Sequence, residues 1–459
     1  MRTSLLTVSL GIALLFTTPA VAQSQTGSIS GRVRDAYGVP LPGARVYVST
    51  LGYRDGRRML LPALSTQPDG QGYYRITPVP AGEYYLKIEP TTLRGIGAFY
   101  PGVADIQKAT LVPVQSGQEI VGADFDMPNL PTFKISGKLL NVPPRPAAAN
   151  GPPATPASAI MGFTFVPADP NNPDLGSAPL LQNASRRSNG EFEISLPAGD
   201  WAIYPVIRMN APGATPAPAQ GLPTYATGRA RVLIVDRDVE NVTITIGSSD
   251  VKVRVTGDLP TNPPLRITMA PRENFASPLI SHLRSSQGLD ANGEFTFKSV
   301  PPGKYSVQIT PLPATHNVAD VRVGTRSVYD DGIITVGLDP LDPVEVVLGQ
   351  GGGNVQGKVI VPNSVMADVP PGRVVLVPAA PRRNNPFLYK TVPLNLTTGF
   401  FAFPNVLAGD YKVFAFQSLP SGGAEQDETF MAKYESFGTP VKVVAGQSNN
   451  VDARWIPKD

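Results

Sequence analysis

Two histidines, His282 and His316, are the only imidazoles in the chain, and there is no cysteine. Disulfides, thiolate nucleophiles and Cys-ligated zinc or iron–sulfur sites are thereby excluded, and a multi-His metal site nearly so. Either histidine could serve a Ser–His–Asp triad. No G-x-S-x-G elbow presents a serine to it, so both read as surface or turn residues. Tyr329-Asp330-Asp331-Gly332 sets two carboxylates beside an aromatic ring, as a calcium or glycosidase site would. Asp-Gly is also a turn signal, and a turn is the plainer reading. Asp169-Pro170-Asn171-Asn172-Pro173-Asp174 offers oxygen ligands without calcium-loop spacing, and reads as a polar loop. Pro381-Arg382-Arg383-Asn384-Asn385 reads as a small solvated basic loop.

Aromatic rings can bind sugars by stacking on apolar pyranose faces while polar neighbours fix orientation. The candidates outside the repeated motif described next are Tyr53 beside Arg54 and Asp55, Tyr100, Tyr225, Phe387 with Tyr389, and Tyr434 with Phe437. Of these, Tyr53, Tyr100, Tyr389 and Tyr434 are the four taken forward as glycan contacts. They are expected in loops.

These residues must be positioned by a repeat. Asn189-Gly190-Glu191-Phe192-Glu193-Ile194 precedes Pro197-Ala198-Gly199-Asp200-Trp201, and Asn292 to Phe297 precedes Pro301-Pro302-Gly303-Lys304-Tyr305. Asp69 to Ile76 with Pro80 to Tyr84, and Thr398 to Phe403 with Leu407 to Tyr411, are further copies. The later glycines, Gly82, Gly199, Gly303 and Gly409, are spaced 117, 104 and 106 residues apart, one small domain each. Each copy reads as a turn, an alternating strand, a tight turn and a second strand, that is, a hairpin. Tyr84, Trp201, Tyr305 and Tyr411 hold equivalent places and are expected in cores. Further strands open each copy, at Ser28–Val33, Ile135–Leu139, Val251–Val255 and Val355–Val359. The expected boundaries are 25–129, 130–247, 248–350 and 351–459. Gly349 to Gly353 reads as a flexible junction, and Val142–Ser158 and Ala211–Pro223 as long surface loops.

Composition agrees with this plan. Fifty Pro among 459 residues leave no room for long helices. Hydrophobic content of 42% suits folded domains, and a net charge of +3 is not that of a nucleic-acid binder. Residues 1–22 carry Arg2, an apolar run from Leu5 to Phe16 and Ala20-Val21-Ala22, the pattern of a secretory signal. The mature chain is expected to be exported from a bacterium to the periplasm, the outer surface or the medium.

The first copy, with Gly27-Ser28-Ile29-Ser30-Gly31-Arg32-Val33, Gly43-Ala44-Arg45-Val46 and Asp69 to Tyr84, resembles the carboxypeptidase regulatory-like domain. That resemblance implies a prealbumin-like, seven-stranded β-sandwich, also classed with carbohydrate-binding-like folds. It implies no peptidase activity, since the H-x-x-E metal motif is absent. The expectation is therefore all-β: four tandem Ig-like or prealbumin-like antiparallel sandwiches, without cofactor or metal. The functional reading is a non-enzymatic structural, adhesive or interaction module of the cell envelope, whose partner is a polysaccharide or another envelope protein. A carbohydrate-binding protein and a hydrolase or its regulatory subunit stand as alternatives.

Overall fold

The computed structural model describes residues 26–89, 97–127, 129–142, 160–169, 172–174, 185–186, 190–208, 225–260, 262–275, 280–361 and 369–458. The expected leader lies outside these residues, as do both expected long loops apart from Val142.

The chain is all-β, and every sheet draws its strands from one of four successive stretches. In the first stretch the opening strand Thr26–Arg34 pairs antiparallel with Tyr73–Pro80 and parallel with Glu119–Ile120 and Phe125–Asp126. The facing sheet sets Arg57–Thr66 beside Arg45–Arg54, and Arg45–Arg54 beside Gly82–Glu89. The second stretch repeats this with Thr132–Leu140 between Glu191–Pro197 and Val239–Thr245, facing Ile160–Pro167 beside Gly199–Arg208. The third places Ser249–Gly257 between Glu294–Val300 and Val344–Gly349, facing Arg266–Pro271 beside Gly303–Thr310. The fourth uses Gly353–Ile360, Phe400–Val406, Arg373–Pro378 and Gly409–Phe416. There Ala453–Ile456 pairs with strands of both layers, so the two sheets join along one side.

The repeated motif is not a hairpin. In all four copies its two strands enter opposite sheets, so the Pro-x-Gly or Leu-Ala-Gly turn is an arch over the end of the sandwich. The repeated aromatic explains the difference. Tyr84 Oη donates to the Pro80 carbonyl at 2.8 Å, and Trp201 Nε1 to Pro197 at 3.0 Å. Tyr305 Oη donates to Pro301 at 2.8 Å, and Tyr411 Oη to Leu407 at 2.9 Å. Each ring thus fills the core and ties its polar tip to the carbonyl four residues back, where the ladder ends. Tyr84, Tyr305 and Tyr411 are buried, as expected, and Trp201 is half-buried against Phe165.

A second rule separates the copies. Gly31, Gly137 and Gly357 occupy one position of the opening strand, each opposite an aromatic of the arch strand: Tyr74, Phe192 and Phe401. A Cβ there would lie 2.2 Å from Ala123 O, 1.9 Å from Val242 O and 1.8 Å from Val451 O. In the first and fourth copies the closing strand is interrupted at that carbonyl, and in the second the register slips. The third copy has Val253 in this place, and its closing strand runs unbroken from Val344 to Leu348. Glycine is needed only where the last strand bulges inward.

Apolar residues of each inner face meet between the sheets. Ile29, Val46, Leu86 and Phe125 centre the first core, and Ile135, Phe163, Ile194 and Ile203 the second. The third and fourth cores form one continuous apolar body that reaches the second copy through Tyr204, whose ring lies 5.6 Å from Phe275. The junction expected to be flexible is tied down, with Gly352 N donating to Asn405 Oδ1 at 2.7 Å and His316 Nε2 lying 3.3 Å from Gln350 Nε2.

Candidate functional site

Arg45–Arg54 and Arg57–Thr66 are joined by Asp55-Gly56, both at positive φ (53° and 74°). That is the backbone of a two-residue hairpin turn, for which Asp-Gly is the preferred pair. Its tip reaches across to the third and fourth copies. Gly56 N donates to the Gly422 carbonyl at 3.0 Å. A Cβ on Gly422 would sit 1.9 Å from Tyr53 O, so only glycine lets the backbones come this close.

The tripeptide Arg272-Glu273-Asn274 of the third copy touches the other three. Arg57 Nη1 donates to the Glu273 carbonyl at 2.8 Å, and Arg57 Nη2 donates to Asn274 Oδ1. Arg272 donates to the Asp55 carbonyl at 3.1 Å and the Asn384 carbonyl at 2.7 Å. Glu273 pairs with Arg229. Asn274 Nδ2 donates to the carbonyls of Pro167 and Asp169, while its own carbonyl accepts from Tyr204 Oη at 2.7 Å. Burial pushes the Arg57 guanidinium down to about 10, with Arg272 and Arg284 adding to the effect. Burial also lowers Arg272 and Arg284.

A second bond joins copies one and two. Lys87 lies on the outer face of Gly82–Glu89, and its side chain is 6% exposed. Its Nζ lies 3.0 Å from Glu89 Oε1 and 2.8 Å from Asp174 Oδ1. Burial alone would lower this ammonium, but Asp174 and Glu89 outweigh it and hold it above the ordinary lysine range. The polar loop ending at Asp174 thus supplies an ion-pair partner, and the Pro173 carbonyl accepts from Leu60 N at 2.9 Å.

Three of the four tyrosines taken forward converge. Tyr53 lies within Arg45–Arg54, not in a loop, and its ring meets Phe430 at 5.8 Å. Phe430 meets Tyr434 at 5.2 Å, and Tyr389 packs on the same small apolar cluster of Val375, Phe414 and Phe416. Tyr389 Oη donates to the Arg383 carbonyl at 2.7 Å. Tyr100 stands apart, edge-on to Phe125 in the first copy. All four are half-buried, and Phe387 is likewise half-buried. Burial raises the hydroxyls of Tyr53 and Tyr389. Of Tyr225 only the strand Tyr225–Ala226 is described. The rings most open to solvent are elsewhere: Tyr37 is 81% exposed, and Tyr73 carries the Arg32 guanidinium 3.8 Å above its ring. Phe437, 39% exposed, is the one candidate ring of this open kind.

The polar groups weighed for chemistry have intramolecular partners. His316 ends a turn, as expected, its N donating to the Pro313 carbonyl at 2.9 Å, but it is buried rather than at the surface, with Nδ1 2.9 Å from Thr315 Oγ1. It lies at the closed seam of copies three and four. His282 Nε2 bonds the Lys298 carbonyl at 3.0 Å. Asp331 Oδ1 accepts from Ile333 N at 2.9 Å, the expected turn, and Asp330 accepts from Arg382 Nε at 3.0 Å. The supposedly solvated basic loop is seam structure. Arg383 makes a two-oxygen contact with Glu435 at 2.9 Å, and Asn385 is fully buried, donating to the Tyr329 carbonyl. Asp55-Gly56 was the readable signal for the clasp. Nothing local marks Arg272-Glu273-Asn274.

Comparison with known proteins bears on the first copy. Residues 28–121 match the carboxypeptidase regulatory-like domain. The match runs from the opening strand to the start of the closing one, and the arch of this regulatory-like domain is the one repeated downstream. No curated protein matches the sequence. Among solved structures, the Bacillus anthracis TIE protein aligns over 90% of this chain and 68% of its own, at 11% identity and a TM-score of 0.17. A streptococcal ancillary pilin aligns over 72% of this chain and all of its own, at 12% identity and a TM-score of 0.19. BcpA, the major pilin subunit of Bacillus cereus, aligns over 71% of this chain and 99% of its own, at 10% identity and 0.17.

Proposed function

We propose that the chain is an exported, non-enzymatic module of the bacterial cell envelope that presents binding surfaces on a fixed frame. The observation that carries this reading is the use made of its polar residues. Lys87, Arg57, Arg272, Asn274, Arg383 and Asn385 bond one sandwich to another across the seams or, like Arg383, brace the seam loop from within the fourth copy. Among the described residues no helix is long and apolar enough to cross a membrane. The frame instead holds loops of different copies at fixed separations, which suits contact with a polysaccharide or another envelope protein.

The test uses purified residues 23–459 in a pull-down on insoluble polysaccharides and a glycan array, with crosslinking capture of envelope proteins in parallel. The expected result is capture of a protein or glycan partner with no turnover of it. Saturable glycan binding weakened by Tyr53→Ala or Tyr389→Ala would move the protein to the carbohydrate-binding alternative and give its tyrosine cluster the role of site. Time-dependent cleavage of any panel member would overturn the non-enzymatic reading.

A further inference from the structure

The clasp carries more positive charge than its carboxylates balance. Arg54, Arg57, Arg272 and Arg284 surround the hairpin tip, and the carboxylates that bear on the last three of them are Asp55 and Glu273. Glu273 is already paired with Arg229, and Asp55 reaches Arg284 only at 3.6 Å. Arg284 Nε is buried and has no hydrogen-bond partner. The Arg284 side chain as a whole is 24% exposed, and an anion there would add a charged partner that Asp55, at 3.6 Å, supplies only weakly.

Beside it lies a cleft of about 420 Å³ between the hairpin tip and the outer face of the third copy. Arg54 and Arg284 stand on its walls, with Thr268, Ser286, Gln308 and Thr310 supplying hydroxyl and amide groups. Asp55 also lines it, at the end nearest Arg284. A larger hollow, about 470 Å³ on the second copy, sets Lys138 against Glu191 and Glu193 and has no such surplus.

We propose that this cleft binds a small hydroxylated carboxylate, the chemistry of a sugar acid. Arg284 and Arg54 take the carboxylate, and Thr268, Gln308 and Thr310 take hydroxyls. Because the walls belong to the first and third copies, the ligand fastens the two together. This assignment is independent of export and of whatever the outer surface contacts.

The experiment is calorimetric titration and thermal melting of the full chain with D-glucuronate, using glucose and inorganic phosphate as comparison probes. Glucuronate is expected to bind saturably and raise the melting temperature by mass action, while glucose does neither and phosphate binds more weakly. Arg284→Gln should weaken glucuronate by about tenfold or more, the loss of one charged hydrogen-bond set. Thr310→Val, a milder change at an exposed wall, should weaken it several-fold in a protein that melts as the parent does. Arg231→Gln, whose partner Asp200 lies on the second copy, should leave binding unchanged. Absence of glucuronate binding overturns the site. Equal binding of phosphate or glucose overturns the sugar-acid assignment, as does unchanged affinity in both Arg284→Gln and Thr310→Val.

Discussion

The arches and the seams are built on opposite plans. Each arch is made by its own copy, from one aromatic and a carbonyl four residues back, and it occurs four times with nearly the same bond length. The central seam is made once, from residues found in a single copy each, and its centre is the tripeptide Arg272-Glu273-Asn274. The contrast teaches that repetition in this sequence encodes the sandwich, whereas the gathering of sandwiches is encoded by unrepeated polar residues. Disturbing an arch should cost one copy its stability. Disturbing a seam should cost the molecule its shape.

The largest effect is expected where a seam is also a buried charge. Lys87→Met removes the buried ammonium that Glu89 and Asp174 share, and removing one partner of a buried pair costs about 3–5 kcal/mol. Denaturant unfolding should show it. Arg75→Met, which breaks the exposed pair with Glu119, should stay within about 1 kcal/mol. Equal losses would mean that the second copy does not cover Lys87 in solution.

Next come the arches. Tyr305→Phe strands the Pro301 carbonyl in a fully buried place and should cost about 1–2 kcal/mol. Tyr84→Phe should cost less, because Pro80 is open to water. The order of the two melts sharpens the claim that burial of the carbonyl, not the ring alone, sets the value of this bond.

Arg57→Ala is expected to act differently, with little loss in the stability of any core but an increase in radius of gyration by small-angle scattering. An unchanged radius would deny the hairpin tip its role in holding the copies. The smallest effect is electrostatic. Burial holds His282 below its usual 6.5, against the raising effect of its bond to Lys298. The unfolded chain therefore takes up a proton first, so stability is full above about pH 6.5 and declines as pH falls through it. His282→Asn should flatten that slope in melts taken between pH 7.5 and 5.

Much of the sandwich was legible. Alternation at Phe192-Glu193-Ile194 and the spacing of the four aromatics mark strands and cores because both depend only on neighbours in sequence. The arch was read as a hairpin since a turn signal states that the chain reverses, not which sheet receives it. The seams were hardly legible at all. Lys87 and Glu89 sit on the face that alternation assigns to solvent, where Asp174 of the second copy and Gly97 and Phe99 of the first lie beside Lys87. Arg382 and Arg383 look like any exposed basic pair until Asp330 and Glu435 are placed beside them. Tyr53, Tyr389 and Tyr434 are far apart in the chain, and their convergence follows from how the fourth copy folds its short helix Glu428–Ala432 over its outer sheet.

The contact between Gly56 and Gly422 has a consequence in time. A bond joining residue 56 to residue 422 cannot form until residue 422 has been made. The arches, by contrast, close within four residues and are available as soon as each copy emerges. A nascent chain therefore keeps the Asp55-Gly56 tip out of its contact with Gly422 until the fourth copy is being made, whereas Lys87 can meet Asp174 as soon as the second copy is out. Closure is stepwise, the second copy covering Lys87, the third receiving Arg57 and the fourth adding the Gly422 contact. A truncation just ahead of residue 422 would remove, together with this bond, the fourth copy's strands Thr439–Val443, Ser448–Asn450 and Ala453–Ile456.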